Sequence, residues 1–318
     1  MENRVLFSPY KDIHSNLALE QLLAQALGPD RRLLLLWVSA PAVVFGRFQN
    51  PWAECPVGLL EAQGVALARR ASGGGTVYHD PGNLSYSVIT PRSAFDSGGN
   101  LEAVALALGR AGLESKIGPR RDLWARGRKV SGSAFQLHRD YGIHHGTLLV
   151  SADLGRLRQS LGSPLHITGS RAVASVPSPV ANVGPMTGLN SPEAWVRPLA
   201  EAFGNRWGAT LTPWPHPLPP LKEALERFTG WDWVYGQTPG FGIRPGPRSP
   251  VTLLVEQGRI TALADSRGEN PAPTAQPVPL TTAGLARLMQ IHPTLKPFIT
   301  ELHRALEAPG TKEAAHAL

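Results

Sequence analysis

Residues 69–87 read RRASGGGTVYHDPGNLSYS, and the organisation of the chain turns on how this stretch is taken. An arginine pair, Arg69 and Arg70, is followed by Ala71 and Ser72 and by three consecutive glycines, Gly73, Gly74 and Gly75. An alternating run, Thr76, Val77, Tyr78 and His79, comes next. Glycine loses more backbone freedom on folding than any other residue, so three in succession answer to a local demand. The demand is either a turn at positive φ or a ligand lying against the main chain where a Cβ would block it. The N–H groups of such a loop make a concave anion site, and neighbouring arginines add charge-assisted donors.

Two later stretches repeat the theme. Residues 127–134, GRKVSGSA, set Lys129 beside the small-residue run Ser131, Gly132, Ser133 and Ala134. Residues 144–149, HHGTLL, carry a histidine pair and Gly146 into an apolar strand. Singly, each has an ordinary reading: a flexible loop, a solvated hairpin turn, one packed and one exposed histidine. Together they supply an oxyanion-binding loop, a fixed cation and narrow apolar walls. That combination suits a carboxylic acid activated by a nucleotide phosphate. Lys129 is the first choice for the cation, because the small residues after it leave a ligand free to reach its ammonium.

On RRASGGGTVYHDPGN, RGRKVSGSA and IHHGTLL the sequence resembles the lipoate–protein ligase family of the biotin/lipoate ligase superfamily. NLALE (residues 16–20), VVFGRFQNPWAEC (43–55) and WDWVYGQTPGF (231–241) extend the likeness, in the family's order, over most of residues 10–241. The resemblance implies an α+β fold: a class II synthetase-like, biotin-ligase-like catalytic domain with a small α+β C-terminal accessory domain. It implies that lipoate and ATP form lipoyl-AMP and that the lipoyl group passes to a lysine of an acceptor domain. The acceptors implied are the lipoyl domains of 2-oxoacid dehydrogenase E2 subunits and the glycine-cleavage H protein. Lys129 would contact both the acyl carbonyl and the phosphate. Arg70, Ala71, Ser72, Gly73, Gly74, Gly75, Thr76, Val77, Tyr78 and His79 would border ATP or lipoyl-AMP, with Tyr78 or its neighbours packing the adenine. Asn83 and Asp122 are candidates for ribose, phosphate or Mg²⁺, Asp122 being the candidate metal ligand, since Mg²⁺ prefers one carboxylate plus substrate phosphates. Leu17, Arg70, Ser72, Ala134, His145 and Gly146 are candidates for the acyl pocket.

Two positions depart from the bacterial ligase pattern. Arg121 stands where asparagine is usual, and Gln136 where arginine is common. Lipoyl amidotransferases, which use a pre-activated donor, also lack that asparagine, so a lipoyl or octanoyl amidotransferase is the alternative reading.

Composition sets the frame around these motifs. The chain has 318 residues, long for one domain, and a 42% hydrophobic share is enough for real cores. A net charge of +7 favours an anionic partner, but the excess is scattered, with short clusters such as Arg120-Arg121, so a nucleic-acid tail is not expected. Cys55 is the only cysteine, which excludes an internal disulfide and a multi-cysteine metal site. No run is long enough for a membrane span, and the first residues lack a signal or transit pattern. The expectation is a monomeric bacterial cytoplasmic protein, or a mitochondrial one from which a presequence was removed.

In chain order, the sequence predicts an edge strand over residues 4–7, a helix over 14–27 and strands over 33–38 and 42–45. A polar loop over 47–55, a short helix over 57–63 and a strand over 65–68 lead to the glycine loop, and 84–89 is the next strand. A helix over 101–111 precedes strands over 113–117, 122–126 and 129–134, the last two joined by a tight turn at Arg126-Gly127. Residues 141–150 read as a strand, 153–161 as a helix, 162–191 as irregular, and 192–206 as a helix that Pro198 could kink. A proline-dense strap, 212–220, and a Gly/Pro-rich linker, 241–250, follow. Beyond the linker come a hairpin over 251–263 turning at Gln257-Gly258, two helices over 281–290 and 294–306, and a frayed last dozen residues. The domain plan is therefore 1–240 catalytic, 241–250 linker and 251–318 accessory, with the two tryptophans of WDW packing one against the other.

Overall fold

The computed structural model describes residues 3–214, 219–244 and 249–309. Leu33–Val38, LLLLWV, is apolar at every position because both of its faces are covered. Leu33, Leu35 and Trp37 enter one core, and Leu34, Leu36 and Val38 enter a second, as a period of two requires. This strand lies inside an eight-stranded sheet whose spatial order is Thr210–Leu211, Arg4–Phe7, Leu33–Val38, Asn83–Pro91, Tyr141–Leu149, Arg128–Leu137, Leu123–Ala125 and Lys116–Ile117. The first three strands run parallel and the rest antiparallel.

Helices Ser97–Arg110 and Val196–Trp207 cover one face through Leu101, Val104, Leu108, Leu199 and Phe203. The other face is covered by helix Ile13–Gln25 and by a three-stranded sheet, Ala66–Arg69, Ala42–Phe45 and Val77–His79. Asn83–Pro91 carries Leu84, Tyr86 and Val88 toward the two-helix core, but it turns Ser85 toward His79 of the three-stranded sheet and Ser87 toward Glu20 of helix Ile13–Gln25. A polar strip on an otherwise apolar central strand marks where a cavity lies.

A second, five-stranded antiparallel sheet runs His166–Thr168, Phe241–Arg244, Val251–Glu256, Arg259–Asp265 and Ala272–Pro279. Helices Thr282–Ile291 and Lys296–Glu307 pack beside it through Leu285, Leu288, Ile299, Leu302 and Leu306. Tryptophans join the two units. The Trp52 indole N–H donates to the Leu280 carbonyl at 3.1 Å, and that of Trp231 to the Gln257 carbonyl at 3.1 Å. Both hairpin turns expected from sequence have the positive φ pair of a type I′ turn: Arg126 at 50° with Gly127 at 73°, and Gln257 at 50° with Gly258 at 74°.

Some expectations are corrected. Phe241–Arg244, placed in the linker, is a strand, because it pairs with His166–Thr168 on one side and Val251–Glu256 on the other. Arg4–Phe7 is not an edge, since Thr210–Leu211 pairs outside it. The loop over 47–55 contains a helical turn, Pro51–Glu54, capped by the Asn50 side chain. The helix expected over 192–206 is a 3-10 turn, Pro192–Trp195, followed by an α-helix, Val196–Trp207, whose first turn holds Pro198, where the missing N–H costs no helical bond. The middle of the expected strap (215–218), the end of the linker stretch (245–248) and the final residues (310–318) lie outside the described residues. Among the described residues no helix is long and apolar enough to cross a membrane.

Arg69 ties these layers together. It is fully buried, and its guanidinium donates to the carbonyls of Trp233, Val234, Gly46, Arg47 and Gln49 and to the Thr238 hydroxyl, at 2.8–3.1 Å. Burial pulls its pKa down to about 10, which leaves it a cation at neutral pH. Trp233 returns a bond from its indole N–H to the Arg69 carbonyl at 2.7 Å. Arg69→Ala would strand several buried carbonyls, and we expect it to lower the unfolding free energy by about 3 kcal/mol or more in urea titration. A loss under about 1 kcal/mol would show that water replaces the guanidinium there.

Candidate active site

Between the eight-stranded and three-stranded sheets lies a cavity of about 340 Å³. Strands supply its floor with Trp37, Ser85, Thr147, Gly132 and Ala134; the glycine loop supplies its roof; residues 173–176 close one side. Of the sequence candidates, Leu17, Arg70, Gly74, Gly75, Thr76, Val77, His79, Lys129, Ala134, His145 and Gly146 line it.

Arg70 has a different task from the one expected. Its guanidinium donates to the carbonyls of Gly73 (2.7 Å), Gly75 (2.7 Å) and Val44 (3.1 Å), and its Nε to the Ser72 hydroxyl (3.1 Å). It is the internal frame of the loop rather than an open hand for an anion. Burial is again the main cause of a pKa lowered to about 10. Gly74 sits at φ 90°, where only glycine is at ease, and a Cβ on Gly46 would collide with the Gly74 carbonyl.

Ser72 is buried beneath the loop and hydrogen-bonded to His145 Nε2, while His145 Nδ1 lies 3.0–3.1 Å from both Glu20 carboxylate oxygens. The Ser87 hydroxyl donates to the same carboxylate. Glu20 therefore belongs to the site. The sequence reading passed over it, although a glutamate on the buried face of an apolar helix was a signal. His144, its neighbour's opposite in the strand, turns to the other core, where burial lowers its pKa to about 3 and Ser133 lies 3.0 Å from Nε2. Both histidines are thus buried, not one packed and one exposed.

Thr76 closes the loop's far end. Its N–H donates to the Ser175 hydroxyl at 2.8 Å, its own hydroxyl donates to Gln49 Oε1 at 2.9 Å, and Gln49 Nε2 donates to Ser175 at 3.0 Å. Gln49 and Ser175 were not foreseen. His79 stacks on Trp37 with centroids 5.4 Å apart, and its Nδ1 accepts a hydrogen bond from Asn83 Nδ2 at 2.8 Å. Burial, with help from the positive charge of Arg70, lowers the His79 pKa to about 3. The Asn83 amide thus serves His79 and does not line the cavity. Tyr78, expected against adenine, alternates to the opposite side and packs in the apolar core. Ala71 and Gly73 belong to the loop without lining the cavity.

The cationic end is built by the Arg128–Leu137 strand and the turn before Leu123–Ala125. Lys129 Nζ is 3.6 Å from Asp122 Oδ2. Burial lowers the lysine pKa; Asp122 opposes that effect and Arg120 adds to it. Asp122 is buried, and neither carboxylate oxygen has a hydrogen-bond partner among the described residues. Arg120 lines the cavity and donates to the Ser178 hydroxyl at 2.7 Å, which ties it to the covering segment. Sequence reading counted it only as part of a charge cluster. Its neighbour Arg121 points away: it is exposed, and its Nη1 donates to the Ser97 hydroxyl at 3.0 Å at the start of helix Ser97–Arg110. Gln136 donates to Gln21 Oε1 at 3.1 Å and does not line the cavity.

The family described as lipoyl protein ligase A/B catalytic domain matches residues 12–204. Among solved structures, a lipoate-protein ligase A bound with ATP is 24% identical, covers 74% of this chain and 98% of its own, and superposes with a TM-score of 0.63. P. falciparum LipL1 in complex with lipoate is 21% identical over 95% of this chain and 98% of its own, with a TM-score of 0.63. A bipartite lipoate protein ligase from Thermoplasma acidophilum, described with its E2 lipoyl domain, is 23% identical over 75% of this chain and 98% of its own, with a TM-score of 0.62.

Arg121 sits at φ 59°, a left-handed conformation that asparagine tolerates better than arginine. Arg121→Asn should therefore raise stability by roughly 0.5–1 kcal/mol in urea titration. The cavity should be unaffected, because the side chain faces Ser97. A loss of stability would show that the Ser97 bond outweighs the strain.

Proposed function

The chain belongs to the lipoyl protein ligase A/B catalytic domain family, and we propose that within it the protein is an ATP-dependent lipoate–protein ligase. Family membership makes it an enzyme of lipoyl or octanoyl transfer. The finer reading rests on one observation. Lys129 and Arg120 face the cavity at one end, and the buried Asp122 carboxylate, hydrogen-bonded to no described residue, lies behind the lysine as its ion-pair partner.

The proposed reaction has two steps. The lipoate carboxylate attacks the α-phosphorus of ATP, forming the acyl–phosphate anhydride and releasing pyrophosphate. A neutral lysine amine of the acceptor then attacks the acyl carbonyl, and the bond to the phosphate oxygen breaks to release AMP. Lys129 stabilises charge first on the phosphoryl oxygens and then on the carbonyl oxygen, in a site held ready before the reaction. Arg120 offers a second cation for the departing pyrophosphate. Asp122 positions the lysine. Its oxygens, ion-paired with Lys129 but hydrogen-bonded to no described residue, also suit Mg²⁺, which takes a carboxylate together with substrate oxygens and water and would neutralise phosphate charge. Among the described residues no cluster of three or more His, Cys, Asp or Glu side chains could hold a metal unaided. The Arg121 side chain, turned to Ser97, does not crowd this end.

The acceptors we propose are lipoyl domains of 2-oxoacid dehydrogenase E2 subunits and the glycine-cleavage H protein. The excess positive charge of +7 favours acidic domains of this kind. Residues 251–318 are proposed as an accessory unit, and the enzyme as a cytoplasmic monomer.

The parent should catalyse lipoate-dependent ATP–pyrophosphate exchange and load a lipoyl domain. Lys129→Met should lower both rates by about 100-fold or more. Because it strands the buried Asp122 carboxylate, its thermal midpoint should fall and should be largely restored by adding Asp122→Asn, without any return of activity. No exchange in the parent, with efficient transfer from supplied lipoyl-AMP, would replace the ligase by the amidotransferase.

A further inference from the structure

The two ends of the cavity differ in chemistry, and the sheet register says how far apart they are. Trp37 pairs with Ser85, Ser85 with Thr147, and Thr147 with Gly132, so these four lie in one row across adjacent strands. The Lys129 side chain rests 3.3 Å from where a Cβ on Gly132 would stand. Three strand spacings, about 14 Å, therefore separate the cationic end from Trp37. An acyl-adenylate with its phosphate at Lys129 would run its tail across this row and end against the stacked Trp37 and His79 rings.

That far end is not plain hydrocarbon. His79 Nδ1 accepts from the Asn83 amide at 2.8 Å, which puts the ring proton on Nε2. Nε2 has no hydrogen-bond partner among the described residues, and the ring lines the cavity. The stack on Trp37 fixes the ring plane, and Trp37 is itself held by its indole N–H, 3.3 Å from the Ser87 hydroxyl. The depressed pKa keeps the ring neutral at physiological pH. A saturated methyl terminus would cover this N–H without accepting from it, and a buried donor left unmet is penalised. A ring sulfur is a weak acceptor and packs favourably on an aromatic face.

We infer that His79 is a specificity-determining residue: its Nε2–H, beside the Trp37 ring, selects a sulfur-bearing cyclic tail over an all-carbon tail of equal length. The inference rests on the acyl-adenylate reading of the cavity.

The test is binding of lipoyl-AMP and octanoyl-AMP, titrated separately into the full chain and into His79→Phe, which keeps an aromatic ring on Trp37. The parent should bind lipoyl-AMP about ten-fold more tightly, equivalent to about 1.4 kcal/mol. In His79→Phe the ratio should narrow to within about two-fold. An unchanged ratio in the folded variant would overturn the inference. Nitrogen-15 NMR of histidine-labelled parent protein provides a check free of any folding defect. The Nε2–H tautomer, persisting to acidic pH, supports the inference; an Nδ1–H tautomer refutes it. If the parent binds neither adenylate, the functional reading fails with it, a result distinct from an unchanged ratio.

Discussion

The structure depends on two arginine side chains buried against main-chain carbonyls. Arg69 gathers five carbonyls from two segments, 46–49 and 233–234, and Arg70 gathers two carbonyls of the glycine loop together with that of Val44. Taking a cation out of water is expensive, and here carbonyl dipoles, rather than carboxylate partners, supply the compensating hydrogen bonds. Only a guanidinium can do this, because its planar fork reaches several acceptors at fixed angles, whereas an ammonium is a compact point charge. The three glycines make the arrangement possible. The carbonyls of Gly73 and Gly75 turn inward to Arg70, that of Gly74 faces Gly46, and no side chains prevent the loop from closing on Gly46 or approaching Ala134.

This frame separates cations that hold the fold from cations that can meet a ligand. Arg69 and Arg70 are committed to the backbone, which leaves Lys129 and Arg120 to provide charge inside the cavity. Asp122 and Arg120 steady them from opposite directions, the first by pairing with the lysine and the second by bonding to the covering segment through Ser178. Lys129 is also fixed through its backbone, which bonds to Pro179 and Ala181 of that segment. Below the loop, a buried polar chain runs from Ser72 through His145 to Glu20 and Ser87, with His145 at the cavity wall. The glycine loop is thereby anchored from above by Arg70 and from below by a histidine.

Much of this was legible in sequence. LLLLWV and AVVF could only be buried strands, and the glycine loop, GRKVSGSA and HHGTLL do meet around one cavity. What was not legible depended on distance along the chain. Whether Arg70 faces a ligand or its own loop is decided by carbonyl directions, which no residue pattern records. Glu20 meets His145 and Gln49 meets Ser175 across more than a hundred residues. Arg120 and Arg121 are adjacent and chemically alike, yet the left-handed turn at Arg121 sends one into the cavity and the other to Ser97. Phe241–Arg244 looked like linker because glycine and proline follow it. Its partner strand, His166–Thr168, lies some seventy residues earlier and carries no pattern of its own.

The most direct test is a crystal structure of the protein with lipoyl-AMP bound. The account predicts a phosphoryl oxygen within about 3 Å of Lys129 Nζ, the lipoyl chain crossing Gly132, Thr147 and Ser85, and Arg70 still bonded to its glycine carbonyls. A phosphate held by Arg70, with Lys129 left on Asp122 and the lipoyl tail pointing away from Trp37, would contradict it.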